Sequence, residues 1–193
     1  PRRSHGIERK AAGTVSETRT ATAEPDTTTR GAAGGGSIPR LALIVVTFKR
    51  QELLSTLFDS FLELTQAPWR IVIVDNEGSE RTRDMVAELG RRTDELWGVD
   101  SGEPDAEVGV SRVVYAPQAD NLGGAGGFSA GVKRAWELGA EWFWVMDDDV
   151  RVLPEALYRL APWTATHRVI QGSRLDYDGG PFYWQYHFIV SLG

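Results

Sequence analysis

Three consecutive aspartates, Asp147-Asp148-Asp149, directly follow an apolar run and form the most distinctive polar group in the sequence. Adjacent carboxylates repel one another unless a cation neutralises them. Carboxylate oxygens suit Mg²⁺ and Mn²⁺, which commonly bridge a protein to substrate phosphates. Because side chains alternate along an extended chain, we expect Asp147 and Asp149 on one side and Asp148 on the other. A solvated loop or a cap for the following helix is the alternative.

A glycine-rich segment precedes another apolar stretch and predicts a turn that opens a helix: Asn121-Leu122-Gly123-Gly124-Ala125-Gly126-Gly127-Phe128. Glycines permit close approach of a ligand to the backbone, and a helix N-terminus favours an anionic ligand. The dinucleotide fingerprint is not met, because the third glycine is replaced by Ser129. The phosphate loop of nucleotide hydrolases is not met either, since Val132 precedes Lys133. Tight packing of helix on sheet is the alternative.

Two further polar groups follow apolar runs. Asp75 lies where a carboxylate can accept hydrogen bonds from a nucleobase N–H or a sugar hydroxyl, although a cap or turn role with Asn76 and Gly78 is equally compatible. Lys49 and Arg50 come soon after the first apolar run and could contact phosphate, or be solvated charges at a helix start.

The elements that must position these residues alternate along the chain. Apolar runs predict four strands, the first two of them buried, and three-to-four spacing of apolar residues predicts helices between and after them. The predicted strands are Leu41–Val46, Ile71–Val74, Val113–Tyr115 and Trp142–Met146, with a further strand near Val169-Ile170; the predicted helices are Leu53–Leu62, one around Met85–Leu89, Phe128–Trp136 and Pro154–Leu160. A long surface loop is expected from Asp94 to Ser111. The pattern predicts an α/β fold with a largely parallel sheet, whose strands deliver their polar residues to one edge.

Composition limits the classes of protein that remain. The 193 residues include no cysteine, which excludes a disulfide scaffold and thiolate metal sites, and the net charge of −6 argues against nucleic-acid binding. No apolar run approaches the roughly eighteen residues of a transmembrane segment. Residues 1–40 carry seven Lys or Arg against four Asp or Glu, a net of +3, so residues 41–193 carry −9. We predict a disordered tail at 1–40 and one domain at 41–193.

In order and spacing, four motifs together resemble a GT-A glycosyltransferase of the inverting family 2. They are Val45-Val46-Thr47-Phe48-Lys49-Arg50, Ile73-Val74-Asp75-Asn76, the glycine-rich segment, and Trp144-Val145-Met146-Asp147-Asp148-Asp149. The glycine-rich segment with a triple aspartate is most similar to the galactofuranosyltransferase and rhamnosyltransferase branch, which builds bacterial cell-surface polysaccharide. The resemblance covers about 41–175 and implies a Rossmann-like three-layer GT-A sandwich, truncated at its C-terminus.

The resemblance also implies a function and a set of roles. A sugar, with galactofuranose as the candidate, would move with inversion from a UDP-sugar donor to a glycan or lipid-linked glycan acceptor. The protein would be cytoplasmic, with peripheral association at the inner face of the plasma membrane. Asp147 and Asp149 would hold Mn²⁺ or Mg²⁺ against the diphosphate. The nucleotide and its sugar would be contacted by Thr47, Arg50, Asp75 (uracil or ribose), Asn121, Gly123, Gly124 and Asp148.

Members of this family place their general base downstream of the aspartates, usually in an acidic doublet. After Asp149 the only acids are Glu155, Asp176 and Asp178, none in such a context, and the last two flank Tyr177 in an expected turn. We therefore expect the base beyond Gly193, and donor binding with little sugar transfer by this chain. The alternatives are a non-catalytic nucleotide-sugar-binding fragment or pseudoenzyme and, less favoured because no glycine follows the first strand, a nucleotidyltransferase.

Overall fold

The computed structural model describes residues 39–99 and 111–180. The predicted tail lies outside the described residues except for Pro39 and Arg40. Most of the predicted loop after Asp94 and the C-terminal residues 181–193 also lie outside them.

Four parallel strands form the sheet of the described part: β1 (Leu41–Thr47), β2 (Arg70–Asp75), β3 (Val113–Pro117) and β4 (Trp142–Asp147). Their spatial order is β3-β2-β1-β4. Every residue of β1 and β2 is buried, because these central strands are covered on both faces, and this explains their continuous apolar runs. All four strand predictions are confirmed within one or two residues.

The helices cover both faces of the sheet, giving three layers. They are α1 (Gln51–Leu62), α2 (Glu80–Trp97), α3 (Gly123–Glu137) and α4 (Ala156–Leu160), the last followed by a 3-10 helix (Ala161–Ala165). Alternate residues of β1 enter two separate cores. Leu43 and Val45 pack with α1, α2 and α4, whereas Ile44 and Val46 pack with α3. The predicted α/β fold is confirmed.

The order of the strands places a crevice beside β1. The chain leaves β1 through α1 on one face and reaches β2 on one side of it, whereas α3 on the other face leads into β4 on the opposite side. The strand order therefore reverses between β1 and β4, and ligands of open α/β sheets bind beyond the carboxyl ends of strands at such a point. Thr47 of β1 pairs with Asp75 of β2, and Val46 of β1 pairs with Asp147 of β4. The carboxyl ends of these three strands therefore lie at the same edge of the sheet.

Three local predictions are wrong. The glycine-rich segment is not a turn, because Gly123 through Gly127 already belong to α3. The loop expected from Asp94 begins later, since α2 continues to Trp97. No strand forms at Val169-Ile170, where Val169 is 87% exposed and the described residues provide no strand to pair with it.

Packing accounts for two of the glycines in α3. A Cβ atom at Gly127 would lie 2.5 Å from Cγ1 of Val46, and one at Gly131 would lie 2.5 Å from Cγ2 of Ile44. These glycines let the helix approach β1 closely, as the packing alternative proposed. A Cβ at Gly124 would meet nothing within 4 Å, so packing does not explain that glycine.

No helix among the described residues is long and apolar enough to cross a membrane.

Candidate functional site

A buried hydrogen bond joins β1 to the aspartate cluster across the crevice. The Thr47 hydroxyl donates to Oδ2 of Asp148 at 2.7 Å, and both residues are almost fully buried. A hydrogen bond to a carboxylate is stronger than one between neutral groups. Asp148 is thus fixed by β1 and buried, whereas Asp147 and Asp149 are exposed. This is the predicted alternation, although Asp148 and Asp149 lie in a turn after β4 rather than in an extended chain.

Arg50 lies over the same cluster. Its Nη1 donates to Oδ1 of Asp148 at 3.2 Å and to Oδ2 of Asp149 at 3.1 Å, while its side chain is 53% exposed. The hydrogen bond to Asp148 and the negative charges of both aspartates raise the pKa of Arg50 above its ordinary value. The turn that delivers this side chain contains Lys49 at φ 58°, a left-handed conformation uncommon for a residue other than glycine. Arg50 is therefore an ion-paired residue rather than an isolated solvated charge.

Asp147 differs from its two neighbours. No described residue hydrogen-bonds to its carboxylate. Partial burial, followed by the charges of Asp149 and Asp148, raises the pKa of Asp147, and the positive charge of Arg174 opposes this effect. The cluster does not cap a helix, since α4 begins only at Ala156.

Asp75 is fully buried and serves the turn that leads into α2. Its Oδ1 accepts from the backbone N–H of Glu77 at 2.9 Å, and its Oδ2 accepts from that of Ser79 at 3.0 Å and from the Tyr115 hydroxyl at 2.8 Å. Burial and the hydrogen bond to Asp75 raise the pKa of Tyr115 to about 12. These contacts show the turn role considered for Asp75. The carboxylate does not open onto the crevice, and its contact with a nucleotide stays a prediction.

The start of α3 is tied to the end of β2. Oδ1 of Asn121 accepts from the backbone N–H of Gly123 at 2.9 Å, and Gly123 has φ 65°, which glycine adopts without strain. Nδ2 of Asn76 donates to the Gly123 carbonyl at 3.1 Å, while its buried Oδ1 has no partner within the described residues. Asn76 thus ties the first residue of α3, Gly123, to the end of β2. The position of Asn76 directly after a predicted strand was the sequence signal that could have identified it as a site residue.

Tyr177 reaches the aspartate cluster from a distant part of the chain. Its hydroxyl donates to the backbone carbonyl of Asp149 at 2.7 Å, and its side chain is 78% exposed. The carboxylates beside it serve the predicted turn, because Asp176 accepts from the N–H of Tyr177 and Asp178 from that of Gly180. No pattern in the sequence indicated that this turn lies beside Asp149.

The carboxylates of this site fit a divalent cation that also binds substrate phosphates. No three His, Cys, Asp or Glu side chains of residues 39–99 and 111–180 are grouped so as to hold a metal by themselves. Mg²⁺, however, is usually bound through one or two carboxylates together with substrate phosphates. Asp147, with no hydrogen-bond partner in the described part, and the exposed Asp149 supply two such carboxylates.

A surface groove of about 480 Å³ lies elsewhere, beside α1 and α2. It is lined by the ion pairs Arg92–Asp59 and Arg151–Glu63 and contains none of the predicted site residues. Because the charged side chains of this groove are already ion-paired with one another, the strand ends remain the candidate site.

Residues 42–191 match the model of glycosyl transferase family 2. The chain belongs to this family. Over 108 residues it is 34% identical to galactofuranosyltransferase GlfT1 of Mycolicibacterium smegmatis and 33% identical to GlfT1 of Mycobacterium tuberculosis strain CDC 1551, covering 56% and 55% of this chain. It spans only 29% of the length of either relative.

The fold is similar to that of a mannosyltransferase from Pyrobaculum calidifontis, solved in complex with GDP-mannose and Mn²⁺. The TM-score is 0.50 at 18% identity, and the match covers 66% of this chain and 32% of the other. The family and the Rossmann-like α/β fold implied by the four motifs are therefore confirmed.

Proposed function

We propose that this chain carries the donor-binding part of an enzyme that transfers a sugar, with inversion, from a UDP-sugar to a glycan or lipid-linked glycan. Galactofuranose is the candidate sugar, because the relatives are named galactofuranosyltransferases. We expect it to act in the cytoplasm at the inner face of the plasma membrane. The observation that carries the proposal is the meeting of Thr47, Arg50 and the three aspartates where the strand order reverses.

In this reaction these residues would stabilise the leaving group. As the bond to the sugar breaks, positive charge develops on the sugar and negative charge on the departing diphosphate. Arg50 has N–H groups that can donate to phosphate oxygens, and Thr47 holds Asp148 so that the cluster is already in place before the donor arrives. Asp147 and Asp149 would hold Mg²⁺ or Mn²⁺, which would neutralise charge on the diphosphate without proton transfer.

Inversion also requires a base that takes the proton of the acceptor hydroxyl, a contribution of about 10²–10⁴-fold in rate. Asp176 and Asp178 are engaged in their own turn. We therefore propose that neither aspartate is the base, and that the described residues bind the donor nucleotide.

Calorimetric titration of the 193-residue chain with UDP and with a nucleoside triphosphate, each with and without Mn²⁺, tests the donor assignment. We expect Mn²⁺-dependent binding of UDP, and its loss in Asp147→Asn and Asp149→Asn, because each variant removes one carboxylate charge and a metal ligand. Asp84→Asn is the matched control, since it removes the same charge from an exposed position on α2.

Each outcome of the titration decides a specific point. Tighter binding of a nucleoside triphosphate than of UDP would favour a nucleotidyltransferase. Binding of UDP that ignores both metal and the two aspartates would contradict the metal assignment. In a separate assay, sugar transfer that is lost in Asp176→Asn or Asp178→Asn while Mn²⁺-dependent UDP binding is kept would contradict the exclusion of these two aspartates as the base.

A further inference from the structure

We propose that Arg50 is an internal counter-cation for the aspartate cluster that releases Asp149 to the divalent cation as the donor diphosphate binds. Arg50 would then couple the two binding events: metal alone binds weakly, and metal with diphosphate binds tightly. The inference rests on the proposed function, because it needs a diphosphate and a divalent cation at this site.

The contacts of Arg50 are suited to such an exchange. A single nitrogen, Nη1, serves both Asp148 and Asp149. Nη2 and Nε contact no acceptor in the described part of the chain, so most of the five N–H donors of the guanidinium are available to a second anion. At 53% exposure the side chain is accessible from solvent.

The two aspartates are not equivalent partners. Asp148 is buried and accepts from Thr47 at Oδ2 and from Arg50 at Oδ1, so its Oδ1 would lose its partner if Arg50 left it. The Asp149 side chain is 48% exposed and has Arg50 as its only side-chain partner among the described residues. Asp149 is therefore the carboxylate that can change partner at small cost.

Electrostatics gives the coupling its direction. A guanidinium in contact with Asp149 repels a divalent ion that approaches the same carboxylate, so it weakens the binding of metal to the free protein. A diphosphate offers paired oxygens that match the fork of arginine, and its negative charge attracts both cations. Because coupling is reciprocal, metal must strengthen diphosphate binding by the factor by which diphosphate strengthens metal binding.

The test measures Mn²⁺ and UDP separately on the full chain. Free Mn²⁺ is followed by electron paramagnetic resonance without nucleotide, and UDP binding by calorimetry with and without Mn²⁺. The variants are Arg50→Gln, which removes the charge, and Arg50→Lys, which keeps it. Arg92→Gln is the matched control, because it removes an equally exposed, ion-paired arginine from α2. Circular dichroism melts establish that each variant is folded.

We expect Arg50→Gln to bind Mn²⁺ alone about tenfold more tightly than the parent, the effect of removing one charge a few ångström from a divalent ion in water. The same variant should bind UDP at least tenfold more weakly in the presence of Mn²⁺, so the metal–nucleotide coupling shrinks. Arg50→Lys should stay within about threefold of the parent for Mn²⁺ alone, since its charge persists.

Unchanged or weaker Mn²⁺ binding by Arg50→Gln would overturn the counter-cation role, even where UDP binding falls. The same result would leave the proposed function intact, because the parent would still bind UDP with metal. An Arg50→Lys variant that gains Mn²⁺ affinity as Arg50→Gln does would also overturn the role, since charge would not be the cause. A parent that binds neither ligand would contradict the proposed function itself.

Discussion

Two glycines only three residues apart in α3 should respond oppositely to the same substitution. At Gly124, an added methyl group meets no atom within 4 Å, and the backbone is not in the left-handed region. Alanine there should stabilise the fold by about 0.5–1 kcal/mol, because glycine loses more backbone freedom on folding. For a chain of this size that raises Tm by about 1–4 °C.

At Gly127 the methyl group has no room. Its Cβ would lie 2.5 Å and 3.1 Å from the two γ carbons of Val46, and 3.2 Å from Nδ2 of Asn76. Val46 is a buried, β-branched strand residue and cannot rotate away without disturbing the sheet. Overpacking of this kind costs about 1–3 kcal/mol. After the gain of about 0.5–1 kcal/mol from helix propensity, Gly127→Ala should lower the free energy of unfolding by up to about 2.5 kcal/mol.

Thermal melts and UDP titrations of the two variants make the comparison. If the open space at Gly124 receives the donor, Gly124→Ala should be more stable than the parent and still bind UDP at least tenfold more weakly. Gly131→Ala is the control, because its Cβ would lie 2.5 Å from Ile44 and 2.9 Å from Val74 beyond the first turn of α3. It should lose stability, while the folded fraction keeps its UDP affinity.

A Gly124→Ala variant that melts lower than the parent would contradict this prediction, because the space at that position would then not be open. A stabilised Gly124→Ala variant that binds UDP normally would instead remove Gly124 from the donor site.

Two further predictions concern buried polar contacts. Thr47→Val should lower the free energy of unfolding, measured in urea, by about 1–3 kcal/mol, because Oδ2 of the buried Asp148 loses its hydrogen-bond donor. Thr47→Ser keeps a hydroxyl and should restore most of this loss. Equal stability of the parent and Thr47→Val would contradict the anchoring role of Thr47. The pKa of Tyr115 is raised from 10.0 to about 12 by folding. The contribution of the neutral Tyr115 side chain to stability is therefore fully present below pH 10.0 and is lost as pH rises to about 12. Urea midpoints of Tyr115→Phe should therefore fall less over that range than those of the parent, and parallel curves would exclude Tyr115 as the cause.

Most of the strands and helices could be predicted from the sequence, although the strand expected at Val169-Ile170 does not form. A strand covered on both faces has a continuous apolar run, as from Leu41, and a helix with one buried face has apolar residues every three or four positions, as from Leu53. Both patterns can be recognised in the sequence. The rule that parallel strands carry their polar ends to one edge then brought Thr47 and the three aspartates to the same region. The ordered set of motifs was sufficient to identify the family.

The partners of each polar residue, by contrast, depend on its neighbours in space. Asp75 ends β2 and Asp148 directly follows β4, yet the first accepts from the backbone of the next turn and from Tyr115, while the second accepts from Thr47 and Arg50. The glycines of α3 look alike in sequence but separate into packed and open positions, because only some face β1. Tyr177 reaches Asp149 through the path of the chain in space. Local patterns set the type of an element, whereas the partner of a side chain is set by which elements become neighbours.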